Sequence, residues 1–503
     1  MQPKSLRFPM VLAVALAAQL AACSQAPTLQ EASPSSDGGP TADASAPAQH
    51  CTLGPAIVVA VPQAVPESVE PCSECGPPYC SLDRTFSPNG VWVEPGGALA
   101  VRGAFRLETD QGDYTHVGNV ATLALYAPAG GMSWTAAGCE DGMPYGMSML
   151  WSRPWRDLRV VGARVGSAML RAYNAQGALA WSVPKLSGRV QPLDRPGSDG
   201  LYVLGDDPLG LQANSPDPPV GLWEIDTVGK VIRSTRLPGK DLQVLGFETD
   251  KAGVRLLLRR QTQAAKPPVS ARWVQLGWDG AELAAHDLAL PEPGTPVSVE
   301  AIVSEGMDGW LITVANEVAP KKNAVRLLRL NGQGKVLWSA PWPKDASGLV
   351  SRAHALPDGG TILLLWTVPD VKTSYMALLR LDANGEQVGS LRALAGPVAG
   401  ASVWYAAWSQ FAAGRVVLVG PSGNSSAIPK GAQLADTVVG IYDFEGNWLA
   451  GTSLGIEPSD EPISVAREAK RLVIVREARD SNGKCLAGKQ PCRQVVQVPI
   501  DCN

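Results

Sequence analysis

The sequence predicts an all-β protein, a β-propeller of eight four-stranded blades with seven as the alternative, whose last blade is closed by an N-terminal strand. A strand–turn–strand motif recurs about every 50 residues through most of the 503-residue chain. Composition is turn-rich, with 52 glycines, 42 prolines and 15 tryptophans against 6 phenylalanines, which suits a large single β-domain. The chain also stops one strand short of a complete unit.

The motif is clearest at Arg326 to Trp338, RLLRLNGQGKVLW. With Gly334 as reference, equivalent turn glycines stand at Gly130, Gly177, Gly229, Gly280, Gly385 and Gly446, with successive spacings of 47, 52, 51, 54, 51 and 61 residues. Four residues before each glycine is an apolar or aromatic side chain: Tyr126, Tyr173, Ile225, Leu276, Leu330, Leu381 and Tyr442. Seven before is another: Leu123, Leu170, Leu222, Trp273, Leu327, Leu378 and Val439. Three before, Asn174, Asp226, Asn331, Asp382 and Asp443 supply an acceptor for the backbone two residues on, while glycine allows the positive φ that closes the turn. Four after, Trp134, Trp181 and Trp338 are suited to wedging between neighbouring sheets. A second strand pair precedes each turn, as in Ser351 to Thr367 around Pro-Asp-Gly-Gly. Each unit is therefore a four-stranded sheet with two apolar faces, which only stacking on both sides can bury.

Residues 1–22 read as an export signal, with Lys4 and Arg7 before an apolar run, Phe8 to Leu20, too short for an ordinary membrane span. Residues 23–50 begin at Cys23 and continue as a Ser/Ala/Pro/Gly tether; 27 residues of flexible coil reach about 30 Å root mean square. Residues 51–88 form a Cys/Pro-rich segment that carries the candidate closing strand Gly54 to Val61. The propeller itself is expected over 89–503, with blades at 89–138, 142–188, 189–239, 241–291, 297–343, 348–395 and 398–455. The remainder offers strands at Ile463 to Glu468, Arg471 to Glu477 and Gln494 to Ile500, and Gly54 to Val61 supplies the fourth.

Beyond Cys23 there are eight cysteines, an even number that in an exported chain reads as disulfides. The closing-strand pairing brings Cys51 beside Cys502, and Cys485 and Cys492 share one hairpin loop and are expected to pair. Cys72, Cys75, Cys80 and Cys139 remain for two further bridges of open connectivity; a metal site at Cys72, Cys75 and Cys80 is the alternative, without a second CxxC to complete a zinc pattern.

Leu20-Ala21-Ala22-Cys23 resembles the bacterial lipoprotein lipobox, which implies cleavage before Cys23 and lipidation on it, with a plain secretory signal as the alternative. Ser24 is not the aspartate that retains such lipoproteins in the inner membrane, so the resemblance implies the outer membrane. The turn strands resemble the quinoprotein-type (PQQ-type) repeat, best matched by LRLNGQGKVLW and LRAYNAQGALAW, over most of 89–503. Families with that repeat include pyrroloquinoline-quinone dehydrogenases and the propeller lipoprotein of the outer-membrane β-barrel assembly machine. The dehydrogenases stack their quinone on a disulfide between adjacent cysteines, and this chain has no Cys-Cys pair. No cofactor is expected.

The sequence names no ligand and no reaction. Gly451-Thr452-Ser453-Leu454-Gly455 has the spacing of a nucleophile elbow but lies on an expected outer strand with Pro458 just beyond, where the following helix is missing. His50, His116, His286 and His354 share no metal-ligand spacing; His354 is expected on an innermost strand, as a hydrogen-bonded structural residue. A net charge of −4 indicates no nucleic-acid partner. The expected function is a non-catalytic envelope lipoprotein, a propeller scaffold or binding module for another envelope protein or a glycan, held to the membrane by its lipid. The alternative is a propeller enzyme, a quinone-dependent dehydrogenase or a carbohydrate-active enzyme, with carboxylates in the central funnel. Loops between second and third strands emerge opposite the glycine turns; the later five, near 261–271, 316–324, 369–374, 421–437 and 480–493, hold Lys266, Lys321, Lys322, Lys372, Lys430, Lys484, Lys489 and Arg493 against Glu317, Asp370, Asp436 and Asp480, so 8 − 4 gives +4. The early loops carry Glu108, Asp110, Asp113, Asp206, Asp207 and Asp217 instead. That basic sector is the candidate binding face for an acidic partner such as an anionic glycan or lipid headgroup, with merely solvated loop charges as the alternative.

Overall fold

The computed structural model describes residues 51–59 and 80–502 apart from connecting segments, the longest being 139–147, 207–219, 261–268, 424–433 and 478–492. The protein is a β-propeller of antiparallel four-stranded sheets. The first sheet contains Cys80–Val93, Leu99–Asp110, Thr115–Tyr126 and Met132–Gly138; its first strand starts at Cys80, upstream of the expected Asn89. The second runs Ser148–Trp155, Leu158–Val165, Ser167–Tyr173, Leu179–Leu186, and the third Arg189–Leu193, Leu201–Asp206, Gly221–Ile225, Val231–Arg236. The fourth contains Leu242–Thr249, Gly253–Arg260, Ser270–Gly277 and Glu282–Asp287. The fifth (Thr295–Glu305, Leu311–Ala319, Lys322–Leu330, Val336–Pro341) and sixth (Gly348–Ala355, Thr361–Asp370, Thr373–Leu381, Gln387–Ala393) are joined by a parallel pairing of their first strands. In the seventh, an interrupted first strand, Ser402–Val403 and Trp408–Ala412, pairs with Arg415–Gly423, followed by Leu434–Tyr442 and Trp448–Pro458.

The last sheet combines Ser464–Glu468, Arg471–Glu477 and Arg493–Cys502 with the N-terminal Cys51–Leu53 and Ile57–Val59. The closing strand pairs as expected, with Val59 opposite Val495 and Cys51 opposite Cys502, and a disulfide joins that last pair. It begins at Cys51 rather than Gly54 and is interrupted between Leu53 and Ile57, where the Gly54 N–H donates to the Pro499 carbonyl. The Val91 N–H donates to Ser464 Oγ at 3.3 Å, so the last sheet also meets the first. Among the described residues these sheets are compatible with eight blades.

Alternation along each central strand explains the core. In Gly253–Arg260, Val254, Leu256 and Leu258 pack on the third blade while Leu257 packs on the fifth. In Thr361–Asp370, Ile362 and Leu364 face the seventh blade, and Leu363 and Leu365 the fifth. Both faces are covered, so these strands read as continuous apolar runs, and each fully buried leucine stabilises by about 1.5–3 kcal/mol. The described residues at four and seven positions before the turn glycines are all buried.

The glycine turns form as their residues dictate. Gly177, Gly229, Gly280, Gly334, Gly385 and Gly446 have φ between 72° and 84°, a region costly for any residue with a Cβ. Asn331 Oδ1 accepts from the N–H of Gln333 and of Lys335, at 3.0 and 2.9 Å. Asn174, Asp226 and Asp382 repeat that pair of bonds in their own turns.

Candidate functional site

Each blade runs up and down four times, so the hairpin between its first two strands and the glycine turn between its last two lie at the same end of the disc. At that end the first strands of successive blades bring polar side chains together. The strand Thr295–Glu305 pairs with its own neighbour as far as Ile302. Val303, Ser304 and Glu305 then leave the fifth blade and pair in parallel with Arg352, Ala353 and His354 of the sixth. These three residues form a strap between two blades.

At the end of the strap, Arg352 Nη1 donates to Glu305 Oε1 at 3.0 Å, and the backbone N–H of Phe411, on the seventh blade, donates to Glu305 Oε2 at 2.9 Å. Arg467, on the eighth, donates to Gln410 Oε1 at 2.8 Å and lies near enough to act on the Glu305 charge. One carboxylate thus ties together the inner ends of blades five to seven, with the eighth blade's cation beside it. The Glu305 and Arg352 side chains are only 23 % and 12 % exposed. Burial pushes the Glu305 carboxyl above the usual glutamate range, against the opposing pull of Arg352 and of the Phe411 N–H. Burial also holds Arg467 below the usual arginine value.

His354 is on an innermost strand, as expected, but is held by stacking rather than by a hydrogen bond. Its ring lies 5.0 Å from Phe411, with 19° between the planes, and 5.7 Å from Phe444. Its buried Nδ1 has no hydrogen-bond partner, and burial lowers its pKa, which keeps the ring neutral at pH 7. An aromatic seam recruits a flat neutral ring for its apolar face.

Similar contacts fasten other seams. Arg255 reaches Glu248 at 3.1 Å and Asp250 at 3.6 Å within the fourth blade, and Asp308 at 3.3 Å and the Gly332 carbonyl at 3.2 Å in the fifth. Arg195 donates to Tyr202 Oη, which donates to Glu224, while the guanidinium lies over the Tyr202 and Trp278 rings. Arg153 of the second blade pairs with Asp194 of the third at 2.7 Å.

Tryptophans dock as the repeat implies. Trp181 Nε1 donates to the Thr227 carbonyl of the next blade, and its ring lies beneath Gly229. Trp338 lies in the same way beneath Gly385. Gly334 is instead covered by Trp273, from a third strand, which the turn-plus-four position does not identify. Gly451–Gly455 lies within the outer strand Trp448–Pro458, where Ser453 Oγ donates to Asp436 Oδ1 at 2.6 Å.

The expected loop face needs one correction. The hairpins at 316–324 and 369–374 are tighter than the sequence implies, because Asn316 to Ala319 pair with Ala324 to Lys322 and Asp370 pairs with Thr373. Pro421 and Ser422 likewise pair with Thr437 and Asp436. Glu317, Lys322, Asp370, Asp436 and Arg493 therefore belong to strands, as do Glu108, Asp110 and Asp206 of the early acidic set. Lys266, Lys321, Lys372, Lys430, Lys484 and Lys489 lie outside the described residues, as do Cys23, Cys72, Cys75, Cys139, Cys485 and Cys492. Cys80 opens the first strand of the first blade. Among the described residues, no three His, Cys, Asp or Glu side chains gather as metal ligands.

No family model matches the chain, and no curated protein matches it. Among solved structures, it is similar to the Dos1 propeller, with 12 % identity and a TM-score of 0.46 over 82 % of this chain and 95 % of that one. It is similar to the β-propeller domain of the Trilobed protease from Pyrococcus furiosus, with 10 % identity and a TM-score of 0.36 over 75 % and 99 %. A third likeness is to the polysaccharide lyase Uly1, with 10 % identity and a TM-score of 0.38 over 73 % and 94 %. Likenesses of that grade carry no information about activity or partners.

Proposed function

We propose that this chain is a lipid-tethered scaffold of the bacterial outer membrane, a non-catalytic disc that presents loops to another envelope protein or an anionic glycan. The observation that carries this reading is the use to which ionisable groups at the blade seams are put. Arg255 bridges the fourth and fifth blades and Arg195 lies over Trp278 of the next blade, which suits a rigid platform. Covalent closure at Cys51 supports the tether reading. Cys502 ends a third strand, so Cys51 lies at the glycine-turn end, opposite the loop-bearing face. On this reading Lys266, Lys321, Lys322, Lys372, Lys430, Lys484 and Lys489 steer an anionic partner, an attraction screened beyond a Debye length of about 8 Å. The PQQ-type repeat is then a structural inheritance without a quinone.

The test is metabolic labelling with palmitate, followed by crosslinking of intact envelopes and recovery of the protein. Cys23→Ser should abolish the label and move the protein from the membrane fraction to the soluble one. Replacing Lys321, Lys322, Lys372 and Lys430 with glutamine should weaken envelope binding and flatten its salt dependence. Turnover of a sugar or alcohol that copurifies with the protein through every step would overturn the reading.

A further inference from the structure

The surroundings of Glu305 are those of a liganded carboxylate. Arg352 Nη1 and the Phe411 N–H each hold one oxygen, Arg467 adds a second positive charge, and His354 and Phe411 provide an aromatic wall. One guanidinium donor and one backbone donor, from two blades, hold the carboxylate, and the Arg467 charge of a third blade acts on it while its own hydrogen bond goes to Gln410, an arrangement suited to a planar anion. What occupies it is the tip of a strap held by three register pairs, Val303 with Arg352, Ser304 with Ala353 and Glu305 with His354. Gly306 follows directly at φ 66°, a joint with no Cβ to restrict it, and Val303 is 42 % exposed despite its size.

We propose that Arg352, Arg467 and the Phe411 N–H form a carboxylate-binding cradle that Glu305 occupies in cis, and that the carboxylate of a uronate-bearing glycan takes its place. The uronate is chosen for its chemistry, a planar carboxylate on an otherwise neutral ring; the lysine-bearing loops lie at the opposite end of the disc and take no part in the site. Exchange is inexpensive because one carboxylate replaces another on the same donors, so no buried guanidinium is left unpaired at the end of the step. Burial already works against the ionised Glu305, as the upward displacement of its pKa shows. The internal competitor weakens the apparent affinity for a free ligand by the fraction of time the cradle is vacant.

The experiment is a calorimetric or NMR titration of the purified full chain with glucuronate, acetate and glucose. Glucuronate should bind wild type weakly and the Glu305→Ala protein about tenfold or more tightly, since the occupant is gone. Glucose should bind neither. Adding Arg352→Met to Glu305→Ala should abolish the response. Glu305→Gln, closer in shape, serves where the alanine variant does not fold, and should also bind glucuronate more tightly than wild type. Equal affinity in wild type and in both Glu305 variants would overturn the cradle, as would binding of glucose as strong as that of glucuronate. A response to acetate without one to glucuronate would overturn the uronate assignment and leave the cradle standing. Because no envelope is present, failure of the scaffold reading in crosslinked cells is a separate result.

Discussion

Glu305 binds its proton more tightly in the folded chain than a free glutamate does, which gives it a pH signature of its own. Its folded pKa is raised above the ordinary 4.5, by burial first, with Arg352 and the Phe411 N–H pulling the other way. For a group so raised, the contribution to stability is full below the ordinary value and is lost as pH rises through the folded value. Glutamine does not titrate. The stability of wild type relative to Glu305→Gln should therefore fall as pH rises from 4.5, read as the gap between urea midpoints at a series of pH values. A relative stability that stays flat with pH would show that the charge is well solvated, and one that rises with pH would show that Arg352 and the Phe411 N–H outweigh burial. The sequence could not announce this residue. Phe411 is 106 positions from Glu305 and Arg352 is 47, and no local pattern marks a carboxylate that will meet them. Asn331 and Asp382 were legible for the opposite reason, since they bond to N–H groups two and four residues on.

At the level of the element, the glycine turn has two separable requirements, its own backbone conformation and the ring packed beneath it. Gly385 (φ 83°) has both, because a Cβ there would lie 2.5 Å from Trp338 of the preceding blade. Gly389 (φ 75°), not a turn glycine but a residue of the outer strand Gln387–Ala393, shares only the left-handed backbone, with nothing within 4 Å of its would-be Cβ. Gly389→Ala should cost about 1 kcal/mol, the left-handed penalty alone. Gly385→Ala should cost more, by a further 1–3 kcal/mol or so for overpacking, because Trp338 must give way and loosen the seam. Thermal unfolding of the two single variants decides it, and equal losses would mean that the docked ring contributes nothing. This docking was legible in part. The turn-plus-four tryptophan identifies Trp181 and Trp338 but not Trp273, which covers Gly334 from a position where any buried apolar residue satisfies the pattern. Periodicity shows that a site is buried, not which neighbour the side chain covers.

For the whole molecule the decisive contact is the one that makes a ring of a line. Each core cluster described is shared by two consecutive blades, from the second with the third to the seventh with the eighth, so the chain would be an open stack if its ends did not meet. The fourth strand of the last blade is short, Cys51–Leu53 and Ile57–Val59; Ile57 and Val58 are 56 % and 59 % exposed and add little burial, while Cys51 and Leu53 pack against the core shared by the seventh and eighth blades. The Cys51–Cys502 disulfide, with a sequence separation of 451, adds a covalent closure to the contact of the last sheet with the first. In the chain-entropy model a loop of that length restricts the unfolded state by about 6 kcal/mol, a ceiling that denatured-state structure lowers. Cys51→Ser and Cys502→Ser should each lower the denaturation midpoint, and the double variant should match them, because either change removes the same bond. The closing strand should then fray ahead of the blades, so proteolysis under native conditions should cut before Ile57 sooner than within the described strands of the blades. An unchanged midpoint in both single variants would mean that the six paired residues and the contact between the last and first sheets hold the ring, with the disulfide incidental to its stability.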